Sequence, residues 1–192
     1  WWRFAGPHDF QNYGSAGASL DLVARGSEGR AELWGVGQGD YYHPERTWMF
    51  RGFQNDGYGW STDGVAKYLT TPEATAGGRL FAKDFTIWLR CSNRNTRNTV
   101  LLGQGAMASK QGLTIYYQTG APPTISCVVH GTPAVSLRLP KLPFQRFLDV
   151  SIRYSAAERA LRGIVFETLS GKQVAAGRLI VPKGRMRPGD GP

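Results

Sequence analysis

Phe85-Thr86-Ile87-Trp88-Leu89-Arg90-Cys91 alternates apolar and polar side chains one by one, with Phe85, Ile87, Leu89 and Cys91 on one side. Successive side chains of an extended strand point to opposite faces of a sheet, so a period of two marks a ribbon with one face turned inward. Four later runs repeat the pattern: Leu113, Ile115 and Tyr117; Ile125, Cys127 and Val129; Val135, Leu137 and Leu139; and Leu148, Val150, Ile152 and Tyr154. No stretch shows a sustained 3.6-residue period, although residues 155–160 allow one helical turn. The pattern predicts an all-β protein, a two-sheet antiparallel β-sandwich.

Working outward, a short strand fits residues 99–102, and residues 160–168 and 173–181 form a hairpin about Ser170-Gly171. On the N-terminal side, strands fit residues 1–4, 20–23 and 31–36. Residues 37–57 read as a long surface loop with Trp48, Met49 and Phe50 tucked inward. Residues 58–62 and 65–69 flank Asp63-Gly64, a pair that favours the positive-φ conformations of a tight hairpin turn.

The 192 residues suit a single domain over 1–192. Gly 25 and Pro 11 are spread along the chain, which fits many short strands joined by turns. The formal net charge is +9, and 17 of the 23 basic residues are Arg. These are scattered from Arg3 to Arg187 with no basic block, so a diffuse basic surface is expected ahead of a patch for an acidic glycan, a lipid headgroup or nucleic acid, nucleic acid being the weakest of the three. No run approaches the ~18 apolar residues of a membrane span. The opening Trp-Trp-Arg lacks an initiator Met and no signal peptide is visible, so the chain reads as an excised domain or fragment. Cys91 and Cys127 both fall on inward faces, either as free thiols or as a bridge.

The other face of the five alternating strands carries Thr86, Trp88, Arg90, Thr114, Tyr116, Gln118, Ser126, Val128, His130, Ser136, Arg138, Asp149, Ser151 and Arg153. Read as one decorated face, this set suits a sugar. Trp88 and Tyr116 would stack on apolar C–H faces, while Arg90, Gln118, Arg138, Asp149 and Arg153 would hydrogen-bond hydroxyls. The plain alternative is a sheet face that is solvated or covered. A second candidate is the polar loop Ser92-Asn93-Arg94-Asn95-Thr96-Arg97-Asn98, whose two guanidinium groups could grip a carboxylate or sulfate.

Catalytic patterns are missing. Glycoside hydrolysis needs two carboxylates ~5 to ~9.5 Å apart, and no pair of acidic residues sits two or four apart on a predicted strand. Asp40 and Glu45, near His43, read as a solvated loop. His8, His43 and His130 lack paired metal-ligand spacing, and no Gly-x-Ser-x-Gly elbow is present. His130 near Tyr116 is the single catalytic pairing that can be constructed. Asp56, Asp63 and Asp84 are the carboxylates open to calcium, though turn and cap roles account for each. No cofactor is expected.

Two segments carry a resemblance. Trp60-Ser-Thr-Asp63-Gly64-Val-Ala-Lys-Tyr68-Leu69-Thr-Thr-Pro72 resembles the "FDG-x-x-dYl-x-x-p" segment of concanavalin A-like, laminin G-type (LamG) domains, and Asp84-Phe85-Thr86-Ile87-Trp88-Leu89-Arg90 resembles their "dFTi-x-x-Wvr" strand. Val100-Leu101-Leu102-Gly103, the strand from Gly112 to Gln118 and Val174-Ala175-Ala176-Gly177 continue the order, and Trp1-Trp2-Arg3-Phe4 is similar to the "yWrFde" opening. The acidic residues after that opening are replaced by Ala5-Gly6-Pro7, and the closing "idevriyn-x-a" strand is absent, as in a fragment lacking its final strand. The resemblance implies a jelly-roll sandwich. It also implies a non-catalytic, secreted or cell-surface (extracellular or periplasmic) accessory domain attached to a glycoside hydrolase, binding an oligo- or polysaccharide. An alternative is a structural module that docks on a neighbouring catalytic domain, which an exposed patch of Trp1, Trp2 and Phe4 would favour. A glycan hydrolase or lyase is the third reading. Fold analogy alone carries these expectations.

Overall fold

The computed structural model describes residues 23–25, 33–35, 58–60, 68–70, 83–91, 98–103, 112–144, 146–168 and 170–183. The chain gathers into two compact units, Trp1–Thr75 with Pro192, and Ala76–Gly191. In the first unit, β1 (Val23–Arg25) pairs with β4 (Tyr68–Thr70), and β2 (Leu33–Gly35) pairs with β3 (Tyr58–Trp60). The hairpin turn expected about Asp63-Gly64 lies outside the described residues.

The second unit contains two antiparallel sheets of four strands. One has the order β12 (Gln173–Ile180), β11 (Ala160–Glu167), β10 (Leu148–Ser155), β5 (Phe85–Cys91). The other has the order β6 (Thr99–Gly103), β7 (Leu113–Gln118), β8 (Thr124–Val129), β9 (Val135–Leu139). All five alternating runs are strands, as is the hairpin of β11 and β12, where Gly171 takes the left-handed φ of 65° that its turn requires. Residues 156–159 form a turn rather than a helix.

The inward side chains of both sheets build one core. Leu113, Ile115, Tyr117, Ile125, Cys127, Val129, Leu137 and Leu139 meet Leu148, Val150, Ile152, Tyr154, Leu161 and Val165. Burying each large aliphatic side chain contributes roughly 1.5–3 kcal/mol. The architecture is thus an all-β sandwich of two four-stranded sheets. Phe85 and Tyr154, cross-strand partners, stack with centroids 5.3 Å apart.

Gly163 and Gly177 lie directly opposite one another on β11 and β12 and face β9 of the other sheet. A Cβ at Gly163 would sit 2.8 Å from Leu139 Cδ1, and one at Gly177 would sit 3.0 Å from Leu137 Cδ1. Glycine at both positions lets β9 press against this hairpin.

Candidate functional site

Alternation specifies a direction from each strand but not the sheet to which the strand belongs. β5 and β10 lie in one sheet and β7 and β9 in the other, with the core between them. The seven candidates of the expected single platform therefore divide. Trp88, Arg90, Asp149 and Arg153 occupy the outer face of the β5-β10-β11-β12 sheet, whereas Tyr116, Gln118 and Arg138 occupy the outer face of the other sheet. No one ligand molecule stacks on Trp88 and Tyr116 together.

The second face is largely closed. Thr114, Ser126 and His130 are buried, and Tyr116 and Gln118 are half-buried. Ser126 Oγ donates to Gln118 Oε1 at 2.6 Å, and Thr114 Oγ1 lies 3.0 Å from His130 Nε2. Polar groups out of water need such partners. Of this set Arg138 and Ser136 stand in solvent.

The first face is open. Trp88 is 58% exposed although it stands on a regular strand, directly across from Ser151 of β10. One step along, Arg90 faces Asp149, and its Nε donates to Asp149 Oδ1 at 2.6 Å while Nη2 donates to Oδ2 at 3.2 Å. Two-point contact fixes the plane of the guanidinium beside the indole. One step the other way lies Arg153, exposed and with no ion-pair or hydrogen-bond partner among the described residues.

Sequence reasoning missed the continuation of this face onto β11 and β12. Arg162 is paired across the sheet with Arg153 on one side and Arg178 on the other. Three arginines therefore stand in line on three neighbouring strands. A hairpin centred on Ser170-Gly171 would set Arg162 opposite Leu179; the irregularity between Val165 and Phe166 shifts the register and brings Arg178 there instead. Glu158, in the turn between β10 and β11, binds both: its Oε2 accepts from Arg162 at 2.7 Å and from Arg178 at 3.3 Å. The Arg162 hydrogen bond and charge, joined by Arg178, hold the Glu158 carboxyl below the usual carboxylate range. Arg159, at φ 48°, secures that turn by donating to the carbonyls of Val181 and Pro182.

The described carboxylates are all engaged. Asp149 pairs with Arg90, Glu158 with Arg162 and Arg178, and Glu167 with Arg146 at 3.3 Å. Asp84 Oδ1 accepts the Ala156 N–H at 2.7 Å, tying the start of β5 to the β10–β11 turn. Among the described residues no cluster of three His, Cys, Asp or Glu could hold a metal ion, and no helix is long and apolar enough to cross a membrane. Cys91 and Cys127 are free. Burial, with the Asp149 charge adding to it, pushes the Cys91 thiol up to about 12, and burial alone does the same to Cys127. Asp56, Asp63, the Asp40–Glu45 loop, residues 92–97 and the Trp1, Trp2 and Phe4 group lie outside the described residues.

Comparison of the chain with models of known families, with curated proteins and with solved structures found no match.

Proposed function

We propose that this chain is a non-catalytic carbohydrate-binding module of a secreted carbohydrate-active protein, on a concanavalin A-like jelly roll, and that its sugar site is the outer face of the β5-β10-β11-β12 sheet. The observation that carries this reading is Trp88. An indole 58% exposed on a regular strand, flanked by the fixed Arg90–Asp149 pair and by Arg153, offers a ring for a pyranose face and planar donors for its hydroxyls. The four-stranded sheets sharing one core are compatible with a jelly roll. The described carboxylates, each tied to an arginine or a backbone N–H, favour binding over hydrolysis, which needs a facing acid pair.

The test is a glycan array with affinity electrophoresis, comparing the parent chain with a Trp88→Ala variant whose fold is checked by circular dichroism. Binding that the variant loses supports the reading. A folded parent that retains no glycan overturns it and favours a module docking on a neighbouring catalytic domain.

A further inference from the structure

The arginine row departs from what a sheet needs for stability. Like charges directly opposite on neighbouring strands repel, yet Arg153, Arg162 and Arg178 are consecutive cross-strand partners. The single carboxylate among them, Glu158, reaches Arg162 and Arg178. Three cations against one anion leave the row with excess positive charge, greatest at Arg153.

One residue pair along the strands lies a different row: Ala176, Ile164, Ser151 and Trp88, in register across the same strands. It is apolar apart from Ser151 and ends at the exposed indole of Trp88. Two residues of strand separate the rows, about 6.8 Å, and neighbouring strands are about 4.8 Å apart, so the outer arginines are spaced by roughly 10 Å. A ring can therefore lie along the apolar row with Trp88 beneath it, while acidic groups on one edge of the chain meet the arginines.

We propose that this face binds an acidic polysaccharide running across the strands, its carboxylate or sulfate groups on Arg153, Arg162 and Arg178 and a sugar ring on Trp88. The assignment rests on the carbohydrate-binding reading above and narrows it to anionic glycans. A uniform polyanion such as nucleic acid fits less well, because Asp149 and Glu158 lie within the same face and the apolar row offers a single aromatic ring. Glu158 acts as an internal competitor that ligand groups displace from Arg162 and Arg178.

The experiment is calorimetric titration of the whole chain with chondroitin sulfate, polygalacturonate, neutral dextran and oligothymidylate, repeated with Arg153→Gln and, as a charge-matched control, Lys172→Gln from the β11–β12 turn. The expected result is binding to one or both acidic polysaccharides, weakening with added salt. Arg153→Gln should reduce it about tenfold, as for loss of a charged hydrogen bond, with Lys172→Gln unchanged. Chondroitin sulfate carries both carboxylate and sulfate and polygalacturonate carboxylate alone, so binding to the first only assigns the arginines to sulfate. Binding to dextran equal to that of the acidic polymers and indifferent to Arg153→Gln overturns the anionic assignment and leaves the carbohydrate reading standing. Equal or tighter binding to oligothymidylate also overturns it, and no binding to any saccharide overturns both.

Discussion

The two outer faces of the sandwich arise from the same alternating pattern and end in opposite states. On the β7-β8 face, Thr114, Ser126 and His130 are out of water and are matched by hydrogen bonds. On the β5-β10-β11-β12 face, Trp88 and the arginine row stand in water with charge left over. Polar residues that bond one another maintain a fold. Exposed ones with unmatched charge and an uncovered ring have chemistry to spare for a ligand.

What the faces share is the core, and a cavity there should damage both. Ile152→Ala, at a fully buried position between Ile87 and Gly163, should lower unfolding free energy by about 2–5 kcal/mol in a denaturant titration. Gly163→Val, forced against Leu137 and Leu139, should cost about 1–3 kcal/mol. The faces should then separate. Thr114→Val removes a partner of buried His130 and should cost about 1–3 kcal/mol, while Arg153→Gln should leave stability unchanged or raise it by about 0.3 kcal/mol as row repulsion falls. Equal losses from the two variants would erase the distinction.

Alkali tests the core shared by both. The folded thiols of Cys91 and Cys127 ionise near 12 against an ordinary value of 9.0. A raised folded value means that the stability from keeping these groups neutral is complete below about pH 9 and is lost as pH rises toward about 12. Native thiols should accordingly resist a thiol reagent at pH 8 and react after denaturation. The smallest effect concerns Glu158: Glu158→Gln should strengthen binding of a sulfated glycan a few-fold by freeing Arg162 and Arg178, with a slight fall in melting temperature.

The strands were legible because inward Phe85, Ile87 and Leu89, like Leu148, Val150 and Ile152, repeat every second residue, and a period of two survives any sheet arrangement. Sheet membership was not, because it depends on which strands pair across long separations. That is why Tyr116 and Trp88 read as neighbours and lie on opposite faces. The arginine row was hidden for a similar reason, because the irregularity between Val165 and Phe166 shifts the register that a hairpin about Ser170-Gly171 would have and brings Arg178 opposite Arg162.

The most direct test of the account is calorimetric titration of one saccharide ligand into the parent chain, Trp88→Ala and Tyr116→Ala, each shown to be folded. The account predicts that Trp88→Ala abolishes binding and Tyr116→Ala keeps it within about twofold, an effect of about 0.4 kcal/mol. Binding lost with Tyr116→Ala and retained with Trp88→Ala would contradict it and move the site to the other sheet.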